Sequence, residues 1–356
     1  MTSRRLLSKS KRQCWCSMTE AHVFSYPDTF PLEAGGTLPG FQLHYTTYGR
    51  LSPARDNVVW VCHALTANAE PQDWWAGLFG VGKLYDPAKH FVVCANMLGS
   101  CYGSTGPLSV NPMTSEPFFH DFPLLTNRDV VRSFDLLRQH LNIKQIHTLI
   151  GGSMGGQQAL EWTIMQSGLV QHLIQVASNA QHSPWGIAFN ESQRMAIRHD
   201  ASWAERSPTA GLNGLRTARS IALLSYRHYQ TYAATQQEPS DEKTDDFRAS
   251  SYQQYQGEKL ARRFNAFSYW TLSKAMDSHH VGRGRGSVEA VLRAIETRCL
   301  FVGIDTDLLF PPAEQKFLAQ QVPHAQCVLL TSPYGHDGFL VEVAQLTQTV
   351  RRFYAE

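Results

Sequence analysis

The segment Gly151-Gly152-Ser153-Met154-Gly155 constrains this chain more than any other. It sets a serine among glycines directly after an apolar strand pattern, Ile146-His147-Thr148-Leu149-Ile150, and before a helical pattern carrying Ala159, Leu160, Trp162, Ile164 and Met165. A strand that passes at once into a helix turns sharply, and residues crowded against that turn have no room for a Cβ. The same turn lifts the serine hydroxyl clear of the sheet, where it can act as a nucleophile. Because the short pattern also occurs as a plain glycine turn, its meaning rests on what flanks it.

The flanks repeat a strand–helix alternation. Strands are predicted over Gln42 to Tyr48, Asn57 to Cys62, Phe91 to Ala95, Ile146 to Ile150, Leu173 to Ala177, Cys299 to Ile304 and Cys327 to Leu330. Between two of them Val130, Phe134, Leu137 and Leu141 recur at helical spacing, predicting a helix over Arg128 to Leu141. Short apolar runs alternating with helices build a mostly parallel sheet covered on both faces. Together with the serine turn, that order predicts an α/β-hydrolase fold. The alternation stops after Ser178, and the stretch from there to Cys299 reads as helices over Ala218 to Tyr226, Glu258 to Tyr269 and Ser287 to Thr297. A polar gap at Gln236 to Asp246 interrupts them as a loop expected to be mobile. The expected division is a loose N-terminal extension over 1–24, a core built from 25–180 and 296–356, and a helical lid inserted over 181–295.

At 356 residues the chain exceeds the length prior of roughly 150 residues per domain, which an insertion into one core explains. A formal charge of +2 gives no basic field for nucleic acid, and no apolar run approaches the roughly 20 residues that span a bilayer. The seven cysteines are an odd number without a CxxC pair, so neither a disulfide framework nor a zinc site is expected, and a reduced, cytoplasmic setting is. No metal or redox cofactor is implied. The first seventeen residues are basic and lack acids, but Leu6-Leu7 is too short for a signal-peptide core. They read as an extension upstream of Met18, a candidate natural start, with a transit peptide as the weaker alternative.

A serine needs a base, and the base needs an acid that fixes its tautomer. In this fold the order along the chain is serine, acid, histidine. Downstream of Ser153, the strand ending at Ile304 runs into Asp305-Thr306-Asp307, and both aspartates qualify by position as the acid. After the last strand, Gly335-His336-Asp337-Gly338 opens the C-terminal helical region, which makes His336 the base among 15 histidines. The oxyanion of acyl transfer needs two donors. One is the backbone N–H of Met154, and the other, from the loop after Cys62, is expected to be that of Leu65. His63 in the same loop reads as a packing residue, since His336 already fills the base's place.

Longer segments carry a family likeness. These are His63-Ala-Leu-Thr66, Cys94-Ala-Asn-Met-Leu-Gly-Ser-Cys-Tyr-Gly-Ser-Thr-Gly-Pro107, the elbow with Gln158-Ala-Leu-Glu-Trp162, and Gly335-His-Asp-Gly-Phe-Leu340. In the helical insertion they are Tyr252-Gln-Gln-Tyr-Gln-Gly257 and Arg263-Phe-Asn-Ala-Phe-Ser-Tyr269. From about residue 25 onward the chain resembles the homoserine O-acetyltransferases, α/β-hydrolase-fold acyltransferases of methionine biosynthesis. The resemblance implies ping-pong chemistry in which Ser153 takes an acetyl group from acetyl-CoA and passes it to the hydroxyl of L-homoserine, with CoA as a substrate rather than a resident cofactor. It selects Asp307 as the acid and implies that Arg219 and Tyr226 receive the acceptor's carboxylate, and Asp337 its ammonium. It also implies a homodimer formed through the lid. Ala67-Asn68 and Gln157 depart from the family pattern near the acyl site. Sister activities use succinyl-CoA or accept serine, and an ordinary serine esterase would use the same triad.

Overall fold

In the computed structural model residues 19–356 are described. The basic segment upstream of Met18, with Cys14 and Cys16, lies outside them. Eight strands form one sheet: β1 (Thr19–Tyr26), β2 (Phe41–Tyr48), β3 (Val58–Cys62), β4 (Phe91–Ala95), β5 (Ile146–Gly152), β6 (Val170–Val176), β7 (Arg298–Ile304) and β8 (Ala325–Leu330). Their order across the sheet is β1-β2-β4-β3-β5-β6-β7-β8. β2 is antiparallel to β1 and β4, and the remaining pairs are parallel.

The continuous apolar runs of the central strands follow from burial on both faces. Trp60 points into one layer and its neighbours Val59 and Val61 into the other. The first layer is covered by α1 (Asn127–His140) and α2 (Met154–Met165), where the Trp162 ring meets Trp60 edge-on at 4.9 Å. Such an aromatic pair adds about 1 kcal/mol to the area it buries. Thr126 and Asp129 close a reciprocal capping box at the start of α1. The second layer is covered by the C-terminal helix through Leu346, Val350 and Phe353.

Between β6 and β7 the chain makes six helices: α3 (Pro184–Arg198), α4 (Leu212–Tyr226), α5 (Tyr229–Gln236), α6 (Arg248–Ala261), α7 (Ala266–Asp277) and α8 (Val288–Arg293). α9 (Pro312–Gln321) and α10 (Val343–Ala355) complete the core. Among the described residues no helix is long and apolar enough to cross a membrane. The five described cysteines are free.

The structure corrects three expectations. Residues 19–24 are not a loose extension but part of β1, an edge strand whose Phe24 is buried while Val23 is exposed. The helix expected over Glu258 to Tyr269 is two helices, because Asn265 caps α7 by accepting from the Ser268 N–H at 2.8 Å. α3 was not foreseen, although Ser183 accepts from Gly186 N–H at 3.1 Å and Pro184 takes the first helical position. The inserted helices are tied back to the core by the buried Glu161 carboxylate, which receives Arg128 at 2.9 Å and Arg285 at 2.6 Å.

Candidate active site

Ser153 occupies the turn between β5 and α2 with φ 57° and ψ −126°, a conformation costly for a residue with a Cβ. The surroundings hold it there. Its N–H donates to the Val176 carbonyl at 2.9 Å, and its own carbonyl accepts from Ser178 Oγ at 2.8 Å. Gly155 lets α2 approach β3, since a Cβ there would lie 2.0 Å from the Cys62 carbonyl oxygen. Alanine at Gly155 would therefore push the first turn of α2 off the loop that follows β3. Gly155→Ala is expected to cost about 3 kcal/mol in a urea melt, at the upper end of overpacking penalties, and an unchanged midpoint would show that the turn can yield.

The structure separates the two aspartates that position alone left equivalent. Asp307 Oδ1 accepts backbone N–H groups of Leu309 at 2.8 Å and Phe310 at 2.9 Å, which leaves Oδ2 to meet His336 Nδ1 at 2.7 Å. Both side chains are buried. Asp305 is exposed and accepts from the Ser332 N–H at 3.0 Å, fastening the turn after β7 to the histidine loop. With Nδ1–H donated to Asp307, the neutral imidazole keeps its acceptor on Nε2. The ring is fixed among Phe310 and Phe339, each at 5.2 Å, and Tyr226 at 5.7 Å. Phe339 in turn packs on Gly152, where a Cβ would come within 2.6 Å of its ring. That ring thus bridges the histidine loop and the residue before Ser153.

The N–H of Met154 belongs to the first turn of α2, whose donors have no partner within the helix. Leu65, the second oxyanion candidate, is buried in a turn closed by Ala67 N–H donating to Ala64 at 3.0 Å. His63 Nδ1 donates to the Ala64 carbonyl at 2.8 Å, and its Nε2 accepts from Met97 N–H at 3.4 Å. Burial pushes this imidazole down to about 4, so it stays neutral and holds the loop. From the inserted helices, Arg263 donates to the Thr66 carbonyl at 2.6 Å and thereby reaches the same loop.

Arg219 and Tyr226 both project from α4, with the guanidinium 5.3 Å from the phenol ring centre. Burial raises the Tyr226 phenol and Arg219 works against that rise. Asp337, beside His336, is in an ion pair that sequence reasoning missed: Arg227 Nε lies 2.7 Å from its Oδ2. Arg227 ends α4, and the end of α4 is seated on Gly335, where a Cβ would come within 2.9 Å of His228 N. No local signal marks Arg227, because its partner lies on a distant loop.

The family model described as alpha/beta hydrolase fold matches residues 57–343. Homoserine O-acetyltransferase from Cyclobacterium marinum is 51% identical over 334 residues, covering 94% of this chain and 95% of that protein. The chain belongs to the homoserine O-acetyltransferase family. A second homoserine O-acetyltransferase, from Trichormus variabilis, is 44% identical over 94% of each chain. Among solved structures, the homoserine O-acetyltransferase from Bacillus anthracis aligns with a TM-score of 0.86 at 26% identity, covering 94% of this chain and 97% of that one. A mutant of esterase E22 reaches the same TM-score at 25% identity, over 94% of this chain and 99% of the other. Homoserine O-acetyltransferases and an esterase thus share this scaffold, so the backbone alone does not separate them.

Proposed function

We propose that the protein transfers an acetyl group from acetyl-CoA to the side-chain hydroxyl of L-homoserine through an acyl-serine intermediate. The supporting observation is the pair of charges around the His336 loop: Arg219 beside Tyr226, whose ring lies against His336, and Asp337 next in sequence. A zwitterionic acceptor would offer its carboxylate to Arg219 and its ammonium to Asp337, which it would share with Arg227, whereas a simple ester carries neither charge.

In this reading Ser153 Oγ attacks the thioester carbonyl as its proton passes to His336 Nε2, and the N–H groups of Leu65 and Met154 receive the oxyanion. Collapse releases CoA, whose thiolate takes the proton from His336. The homoserine hydroxyl then attacks the acyl-serine, giving its proton to His336, which returns it to Ser153 Oγ as O-acetylhomoserine leaves. Asp307 holds the imidazole in the tautomer that both halves need. Helices α3 to α8 act as a lid that excludes water and joins two copies of the chain into a homodimer, and the enzyme works in the cytoplasm.

Mixing the protein with acetyl-CoA or succinyl-CoA, then chasing with homoserine, serine or water under intact-mass detection, tests the reading. An acetyl adduct discharged by homoserine alone is expected. A succinyl adduct or serine-selective discharge would move the protein to a sister acyltransferase, and equally fast discharge by water would make it an esterase. Arg219→Ala is expected to raise the homoserine KM by about tenfold or more, the loss of one charged hydrogen bond, while CoA release in the first half-reaction continues at its usual rate. Equal damage to both halves would assign Arg219 to the structure of α4 instead.

A further inference from the structure

A concave site lies at the opposite end of the strands from Ser153. A cleft of about 530 Å³ opens between α10, the 82–90 segment and the first residues of β5 and β6. Its inner wall is a row of imidazoles. His90 stands 6.0 Å from His147, and His147 5.0 Å from His172, centre to centre. Tyr354 of α10 packs on His147 at 5.6 Å and His172 at 5.2 Å. His172 Nδ1 donates to the His147 carbonyl at 2.9 Å, while His147 Nδ1 is bonded to Thr148 Oγ1 at 2.9 Å. Lys83, Lys89 and Arg351 line the same cleft and are exposed. A further hollow of about 800 Å³ continues past Lys83 and Arg351 along α10 and adds Arg352.

The charges facing the imidazoles are unequal. Asp86 is the carboxylate lining the cleft, and its oxygens already accept the N–H groups of Gly82 at 2.7 Å and Ala88 at 2.9 Å. Burial lowers His147 to about 4, aided by His172 and His90, while Asp56 opposes the shift. Burial also lowers His90 and His172, with Lys89 adding to the first and Arg298 to the second, against Asp86 in the first case and the His147 carbonyl in the second. The row is therefore neutral when the cleft is empty of anions, although it sits inside a net positive field. Among the described residues no three His, Cys, Asp or Glu side chains converge to hold a metal ion.

We propose that this cleft binds a phosphate or pyrophosphate group, with Lys83 and Arg351 meeting its charge at the mouth and the His147–His172 pair taking up protons as it enters. A multivalent anion counters the repulsion among the imidazoles, Lys89 and Arg298 that adds to the effect of burial, so binding and protonation are linked. A row of neutral core histidines would bind nothing and take up no proton.

Calorimetric titration of the full chain with inorganic pyrophosphate, near pH 7 in two buffers of different ionisation enthalpy, tests this. Wild type is expected to take up about one proton more per pyrophosphate than the H147Q/H172Q variant, which carries the same ligand titration and so cancels it. The affinity of that variant should fall about tenfold, the equivalent of one lost charged contact. K83Q/R351Q, two changes at exposed positions, should weaken binding by more than about tenfold with an unchanged thermal midpoint. Adenosine diphosphate serves as a second arm: tighter binding than pyrophosphate assigns the site to a nucleotide that also uses the hollow along α10, and equal binding to the phosphates alone. Absence of binding at millimolar pyrophosphate, equal proton uptake in wild type and a folded H147Q/H172Q variant, or undiminished affinity in K83Q/R351Q would overturn the proposal.

Discussion

Replacing Ser153 by alanine is expected to erase the acyl-enzyme and lower turnover by about six orders of magnitude, the scale seen when a triad nucleophile is removed. Ser153→Ala removes a single oxygen. The backbone bonds that pin the turn, from Ser153 N–H to Val176 and from Ser178 Oγ to the Ser153 carbonyl, involve no side-chain atom of Ser153. Alanine meets the same strain as serine at φ 57°, so the thermal midpoint should stay within about a degree or two, as for a substitution that leaves packing intact. Intact-mass detection after acetyl-CoA addition reads the outcome directly, and a variant still labelled would remove Ser153 from the mechanism.

Asp307→Asn should cost about four orders of magnitude in turnover, for a reason the hydrogen bonds make explicit. The Leu309 and Phe310 N–H groups both point at Oδ1, so an asparagine must turn its carbonyl oxygen toward them. Its NH2 then faces His336 Nδ1, which must become an acceptor, and the proton moves to Nε2 where the base is needed. The ring would keep its place and hold the wrong tautomer. Asp305→Asn is the matched control, since the Asp305 side chain accepts from a loop N–H rather than from His336, and near-normal turnover is expected there. Full activity in the Asp307 variant would transfer the acid's role to Asp305.

The strands that carry this geometry were legible because burial on both faces makes them unbroken apolar runs, as in Val58-Val59-Trp60-Val61-Cys62. β1 was not, since an edge strand alternates Phe24 inward with Val23 and Ser25 outward and borders a basic segment. Apolar spacing continued across Asn265 and hid the break between α6 and α7, where one side-chain cap outweighs periodicity. The elbow and His336 could be read from order along the chain, which left Asp305 and Asp307 equivalent; the family resemblance pointed to Asp307, and that is the carboxylate the backbone at Leu309 and Phe310 orients toward His336. Arg227 was out of reach, because an ion pair with Asp337 exists only once the end of α4 rests on Gly335.

Helices α3 to α8 fall between β6 and β7 in the chain, and this placement divides the site in time. A ribosome that has just completed β6 has already made Leu65, Ser153 and Met154, yet Asp307 and His336 are still untranslated. On the proposed triad the nascent elbow therefore has no base, and β6 stands as an unpaired sheet edge until β7 arrives. On the proposed mechanism a half-made chain can expose an unpaired sheet edge, but not a serine armed to attack a thioester.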